Sequence, residues 1–281
     1  MVLIYLLFGV AFVWLISSCY VDIKKREVPD WLSYSLIAFG LGTRLIYSLI
    51  FKDFSIIIGG VLFFLIAFLF SIFMYYTKQW GGGDSKLIMG LGAVIGSFKT
   101  EILGFNIPIF VLFVFSIFFF GSIYSLIYSI ILAFNNRKEF VKEWKKIKYY
   151  YFLIIILLGL CVSILSLFML QNIYRIFVFG VGLFLIILFY LFSFIKTVEN
   201  CCMYKIRDVG KLVEGDWLAK DVVVNKKILC SSKSLGLTKK DINNLKKLKV
   251  KRVLLKEGIP FVPSFLIAFI FTVVYSWILI F

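Results

Sequence analysis

Two aspartates stand where carboxylate chemistry is possible in an otherwise apolar chain. Asp22 follows the first hydrophobic stretch directly, and Asp84 opens the fourth behind three glycines, Gly81, Gly82 and Gly83. There is no histidine, and the five cysteines (Cys19, Cys161, Cys201, Cys202 and Cys230) show no C-x-x-C spacing. A histidine-based triad, a typical zinc site and a disulfide framework therefore have no basis, and no metal or cofactor is expected. Two carboxylates suffice for peptide hydrolysis: one, ionised, takes a proton from water, and the other, protonated, polarises the scissile carbonyl. From Asp84 to Phe98 is 15 residues, roughly 22 Å of helix against about 30 Å of hydrocarbon. Asp84 is thus expected below the headgroup level, where an ionisable side chain is by default functional. Glycines ahead of it can turn sharply, approach another chain closely or act as a hinge.

Asp22 lies at the C-terminal end of its stretch and Asp84 at the N-terminal end of its own. Helix dipoles then favour charge on Asp84 and disfavour it on Asp22, making Asp84 the expected base and Asp22 the acid of a coupled pair. Lys86 is expected to serve topology or lipid headgroups, and Arg44, near the outer end of the second stretch, to snorkel to the interface. Gly92 and Gly96 make a small-x-x-x-small pattern suited to close helix packing.

The elements that must position these groups are membrane helices. Hydrophobic residues make up 62% of 281 positions and charged residues 16%, and the mean hydropathy is +1.01. A soluble core cannot bury that much apolar surface. Eight apolar stretches run roughly 1–20, 31–51, 54–76, 84–98, 109–134, 151–170, 176–195 and 264–281, most near the ~20 residues a span needs. The first lacks the layout of a cleaved signal peptide and reads as a permanent span. The expected fold is an all-α polytopic membrane protein of about eight transmembrane helices with a small α+β cytoplasmic segment. Its organisation reads as a catalytic core at 1–134, a basic loop and two additional spans at 135–196, a small domain at 197–263 and a last span at 264–281.

Threading eight spans with the N-terminus outside puts 27 of the 31 Lys and Arg residues on one side, which the positive-inside rule assigns to the cytoplasm. Both aspartates fall at that face. The net charge of +16 is spread over loops that flank spans, so it suits topology and contact with anionic lipid rather than nucleic acid. In the small segment, Asp221–Leu229 and Lys251–Leu255 read as strands. Thr238 with Asp241 resembles a capping box opening a helix over Lys239–Leu248.

The residues around the aspartates add a resemblance. The run from Asp22 through Lys24, Lys25 and Arg26 to Val28-Pro29-Asp30-Trp31 resembles the first motif of the type IV prepilin peptidases, with Asp30 where Asn is frequent. Gly81, Gly83 and Asp84 match that family's G-x-G-D motif, and Gly90-Leu-Gly92-Ala93 is similar to its fourth span. The resemblance covers roughly the first 98 residues. It implies a membrane aspartyl protease with Asp22 and Asp84 catalytic, which removes the short basic leader of prepilin-like precursors at the cytoplasmic face. The absence of paired C-x-x-C motifs implies no methyltransferase region. The compact plan, with Lys256–Pro263 before the last span, is most similar to the archaeal prepilin and preflagellin (archaellin) peptidases. Against their six-span core, the stretches between 151 and 195 read as two extra spans. A basic leader approaching a basic enzyme face needs local negative charge, which Glu27 and Asp30 can supply; Asp30 can equally cap the second span. Two other classes stay open: an ion- or proton-coupled transporter using Asp22 and Asp84, and a non-catalytic assembly protein of a pilus or archaellum.

Overall fold

The computed structural model describes residues 2–102, 104–147, 149–168, 172–224, 227–232 and 234–280. The sequence-derived stretch ends at Met1, Leu170 and Phe281, and Asn225 and Lys226 within the expected strand, lie outside these residues. In chain order the elements are α1 (Val2–Lys25), α2 (Asp30–Phe51), α3 (Ser55–Tyr76), α4 (Gly82–Ile95), β1 (Lys99–Ile102), β2 (Phe105–Pro108), α5 (Ile109–Asn135), α6 (Arg137–Trp144), α7 (Tyr149–Leu165) and α8 (Asn172–Val198). After one π-type turn at Glu199–Met203 come β3 (Tyr204–Asp208), β4 (Val222–Val224), β5 (Lys227–Cys230), α9 (Lys239–Lys247), β6 (Arg252–Lys256) and α10 (Val262–Ile280).

The protein is a helical, multi-pass membrane protein. Helices α1, α2, α3, α5 and α8 are each long and apolar enough to cross a bilayer, while α7 and α10 are shorter apolar helices. At 14 residues, α4 is the shortest of the apolar set, about 21 Å against about 30 Å of hydrocarbon. It is also the most enclosed: Leu87, Ile88, Leu91, Ala93, Val94 and Ile95 have no exposed surface. It is held from two sides by α2 and α3. The glycines on these helices explain how: a Cβ on Gly92 would sit 2.4 Å from the Ala67 Cβ, and one on Gly40 would sit 2.7 Å from the Val94 Cγ2. Where hydrocarbon replaces water outside, helices associate by close van der Waals packing, and small residues permit that approach. Helices α1, α5 and α10 close the same core through Leu7, Leu15, Phe113 and Phe265. Helices α7 and α8 form a tight hairpin, with Gly182 against the Gly159 carbonyl and Ser163.

A second, smaller core gathers Val209, Leu218, Leu237, Leu245 and Leu255 under two antiparallel pairs, β3 with β6 and β4 with β5. Thr238 caps α9 by accepting from the Asp241 N–H at 3.2 Å while Asp241 accepts from the Thr238 N–H at 2.9 Å, so the capping box is formed. The expected strand at Lys251–Leu255 is β6, and the one at Asp221–Leu229 is divided into β4 and β5. The β1–β2 hairpin beyond α4 was not read from the sequence; its four-residue strands, in the gap between two apolar stretches, are too short for a period of two to stand out.

Candidate active site

Helix α1 continues past its apolar stretch, so Asp22 occupies its last turn and is only 5% exposed. The helix stops at Arg26, whose φ of 58° is left-handed and whose N–H donates to the Asp22 carbonyl oxygen at 2.8 Å, a C-terminal αL cap. The Asp22 carboxylate reaches across the fold: its Oδ2 accepts the N–H of Val262 at 3.0 Å. Val262 is the first residue of α10 and lies 240 positions away. Asp22 therefore satisfies an otherwise orphan donor at a helix N-terminus. It stands at the C-terminal end of α1 and the N-terminal end of α10 together, and the two dipoles act on it in opposite senses. The expectation of Asp22 as acid and Asp84 as base rested on the dipoles of α1 and α4; α10 offsets the α1 contribution at Asp22, while Asp84 keeps its place in the first turn of α4.

Asp84 is the third residue of α4, and its Oδ2 accepts the Gly81 N–H at 3.3 Å. Instead of the site-shaping loop expected of all three glycines, Gly81 is the N-cap and Gly82 and Gly83 already belong to the first turn of α4, and none of the three has a positive φ. The most crowded of the three is Gly83: a Cβ there would lie 3.0 Å from the Val28 Cβ and 3.1 Å from the Val28 nitrogen. That close approach seats the head of α4 against the α1–α2 connection.

Asp22 and Asp84 line one cavity of about 680 Å³. Its apolar wall is Met74, Trp80, Phe118 and Phe261, and its far wall comes from the small domain, with Arg207, Asp216, Trp217 and Glu257. Trp80 is 4% exposed and lies between Phe70, Phe118, Phe261 and Phe265 at ring-centroid distances of 5.2–6.5 Å. It couples the head of α4 to the head of α10. Arg26 ties the third side, donating to the Tyr128 hydroxyl at 2.9 Å and to the Gly258 carbonyl.

Of the other residues singled out in the sequence, Glu27 lines the cavity and Asp30 is not among its lining residues. Asp30 does not cap α2, whose N-cap is Pro29 with no side-chain bond; it pairs instead with Lys86 at 2.6 Å. Both partners are solvated, so this pair is worth at most about 1 kcal/mol. Burial pushes the Glu27 carboxyl above the usual carboxylate range, and the nearby charge of Asp216 adds to this. Burial likewise raises Asp216, against the opposing pull of the Val213 N–H and Arg207. Arg44 departs from expectation altogether: it is 1% exposed and turned inward rather than snorkelling.

Sequence reasoning missed Trp80, Phe261 and the small-domain acids. The tryptophan directly before the glycine run was a usable signal for the first. The Lys256–Pro263 run was legible as part of the family resemblance, but nothing local shows that the Val262 N–H within it donates to Asp22.

Comparison with known proteins bears on this geometry. Residues 9–132 match the type IV leader peptidase family. That stretch holds most of α1 through most of α5, including both aspartates and the Gly81–Asp84 motif, and so supplies much of the cavity's membrane-side lining, with Ile195 and Phe261 lying outside it. A preflagellin peptidase of Methanocaldococcus jannaschii is 40% identical over 88 residues, covering 31% of this chain and 37% of that protein. One of Methanococcus maripaludis is 33% identical over 88 residues, 31% of this chain and 38% of its own length. One of Methanococcus voltae is 30% identical over 141 residues, 48% of this chain and 59% of its own length. The aligned part thus spans less than two thirds of each of these relatives.

Proposed function

We propose that this protein is a membrane-embedded aspartyl endopeptidase that removes the short basic leader of prepilin-like or preflagellin precursors, with Asp22 and Asp84 as its catalytic pair. The observation that carries the reading is that these two carboxylates, from opposite ends of α1 and α4, line the same cavity. The match to leader peptidases and the preflagellin peptidase relatives supports the substrate class. In the reaction, the pair shares one proton: the ionised member takes a proton from the attacking water, and the protonated member donates to the carbonyl oxygen. Assignment of either role to one residue is better left to the pair as a unit. The bias of Lys and Arg supports an outside N-terminus and a cytoplasmic site. The test is to incubate membranes carrying the protein with a precursor from the same genome and follow the leader by gel shift and mass spectrometry. Cleavage by wild type that is absent from Asp22→Ala and Asp84→Ala supports the reading; cleavage that persists in both refutes it.

The cavity's charge suits a basic leader. Five of the fifteen acidic residues line it, beside Lys25, Arg26, Arg207 and Lys256, so with one proton shared by the Asp22–Asp84 pair its charges balance, on a chain of +16. Glu257 is already held by Lys205 at 2.8 Å and by Arg207 at 2.5 Å. Glu27 and Asp216 are therefore the acids proposed to meet a leader Lys or Arg, and Asp30 is left out of the reading. Glu27→Gln with Asp216→Asn is expected to raise KM by up to about tenfold, on the order of 1 kcal/mol for two partly solvated contacts, with kcat little changed. A precursor whose leader lysines are changed to Gln should lose that sensitivity. Because both carboxyls titrate above the usual range, wild-type KM should start to rise at a higher pH on acidification than solvated acids would give. Equal KM for wild type and double variant at every pH argues against this assignment.

A further inference from the structure

Arg44 is the largest fully buried side chain among the described residues, and neither the motifs nor the cavity accounts for it. Its guanidinium meets no carboxylate among the described residues; it meets the end of α4. Nε donates to the Ala93 carbonyl at 2.9 Å and Nη2 to the Val94 carbonyl at 2.7 Å. Nη1 donates to the Ser97 Oγ at 2.7 Å and to the Ile56 carbonyl at 3.2 Å. The Cζ lies 4.7 Å from the centre of the Phe98 ring.

The last four carbonyls of an α-helix have no partner within it, and every one of those in α4 is answered. Gly92 O accepts from the Gly96 N–H at 3.1 Å and Ile95 O from the Phe98 N–H at 3.4 Å. Ala93 and Val94 depend on Arg44. A cation at this end also complements the helix dipole. The planar fork is needed because two carbonyls and a hydroxyl must be reached in fixed directions at once, which an ammonium on a single stem cannot do. Space for the stem is reserved by Gly60 on α3, where a Cβ would lie 2.4 Å from the Arg44 Cδ. Ala93 and Val94 are fully enclosed, so these carbonyls have no exposed surface at which to take another donor. A helix that loses this anchor recovers partners only by shifting along its axis or fraying.

Asp84 is at the other end of the same short rod. We propose that Arg44 is a positioning residue that holds α4 at the depth where Asp84 faces Asp22, and that it acts on the reaction through Asp84 without touching substrate. This rests on the reading of Asp84 as catalytic. It goes beyond that reading by making a residue on α2, at the opposite end of the helix, a determinant of turnover.

The test uses the full chain in membranes, with Arg44→Met, Arg44→Lys and, as a milder change, Ser97→Ala. Folded protein is quantified by monodisperse elution after solubilisation, and two quantities are measured per folded molecule. The first is precursor cleavage, in which kcat should fall about tenfold or more for Arg44→Met, less for Arg44→Lys and least for Ser97→Ala, with KM nearly constant. The second places Asp84→Cys in the wild-type and variant backgrounds and follows alkylation at position 84 by a water-soluble maleimide, read by mass spectrometry. The rate should change in the same order. Unchanged kcat and unchanged alkylation per folded molecule would overturn the proposal and leave Arg44 as a stabilising residue alone. If Arg44→Met yields no folded protein, Arg44→Lys and Ser97→Ala decide by the same criteria. If wild type cleaves no precursor, the function proposed above fails, while the alkylation series still decides whether Arg44 sets the depth of position 84.

Discussion

Asp84→Asn and Asp22→Asn are each expected to lower precursor cleavage by about 10²–10⁴-fold, the range over which a positioned acid or base contributes. Asparagine keeps the shape and an acceptor oxygen. Residue 84 can still accept the Gly81 N–H, and residue 22 can still accept the Val262 N–H, as the aspartates do at 3.3 and 3.0 Å. Neither change opens a cavity or strands a backbone donor, so the loss reports proton transfer rather than unfolding. The measurement is initial cleavage rate per folded enzyme, with elution behaviour as the control. Because the two groups act as a unit, the double variant should be little worse than either single one. A single variant that keeps near wild-type activity would remove that residue from the pair, and additive losses would mean that the two carboxylates act in separate steps.

The second large effect concerns stability. Gly96→Val is expected to prevent normal packing of α3 on α4, because a Cβ at residue 96 would lie 2.0 Å from the Phe63 Cβ and 2.5 Å from the Gly92 carbonyl oxygen. Overpacking a core costs about 1–3 kcal/mol when side chains can give way. Here one of the obstacles is backbone, and the affected segment is the one Arg44 caps through Ala93, Val94 and Ser97. The thermal midpoint of the solubilised protein should therefore fall sharply, and activity with it. Gly42→Ala on α2 is the matched control: nothing lies within 4 Å of a Cβ there, so its effect should stay within about 1 kcal/mol and has a helix-propensity gain on its side. Equal midpoints for the two variants would show that α3 and α4 are not held at the separation described.

The match between sequence reading and structure was best where the signal is local. Runs of about 20 apolar residues leave no other solvent than the bilayer, and α1, α2, α3, α5 and α8 appear close to where those runs stood. The α9 capping box was legible because its two reciprocal bonds join residues three apart. Asp22 and Asp84 stood out for a related reason, being charges set at the boundaries of apolar segments in an arrangement that charge-based threading brings to one face.

What remained hidden depends on contacts across long separations. No period or spacing records that the backbone of Val262 donates to Asp22, since the two are joined only when α10 packs beside α1. The same holds for Arg44. From sequence, an arginine near the end of a span reads as one that escapes to the interface, and its burial is decided by two unmatched carbonyls on a neighbouring helix and by a glycine on a third. Asp30 and Glu27, three residues apart, looked equivalent and part company because Lys86 is within reach of one while the small domain faces the other. By itself, then, the sequence determined the solvent, the spans and the two carboxylates, all of which follow from residue type and local order. Which donors, cations and walls surround those carboxylates was decided by tertiary packing, because hydrogen-bond geometry and close approach belong to pairs of distant segments.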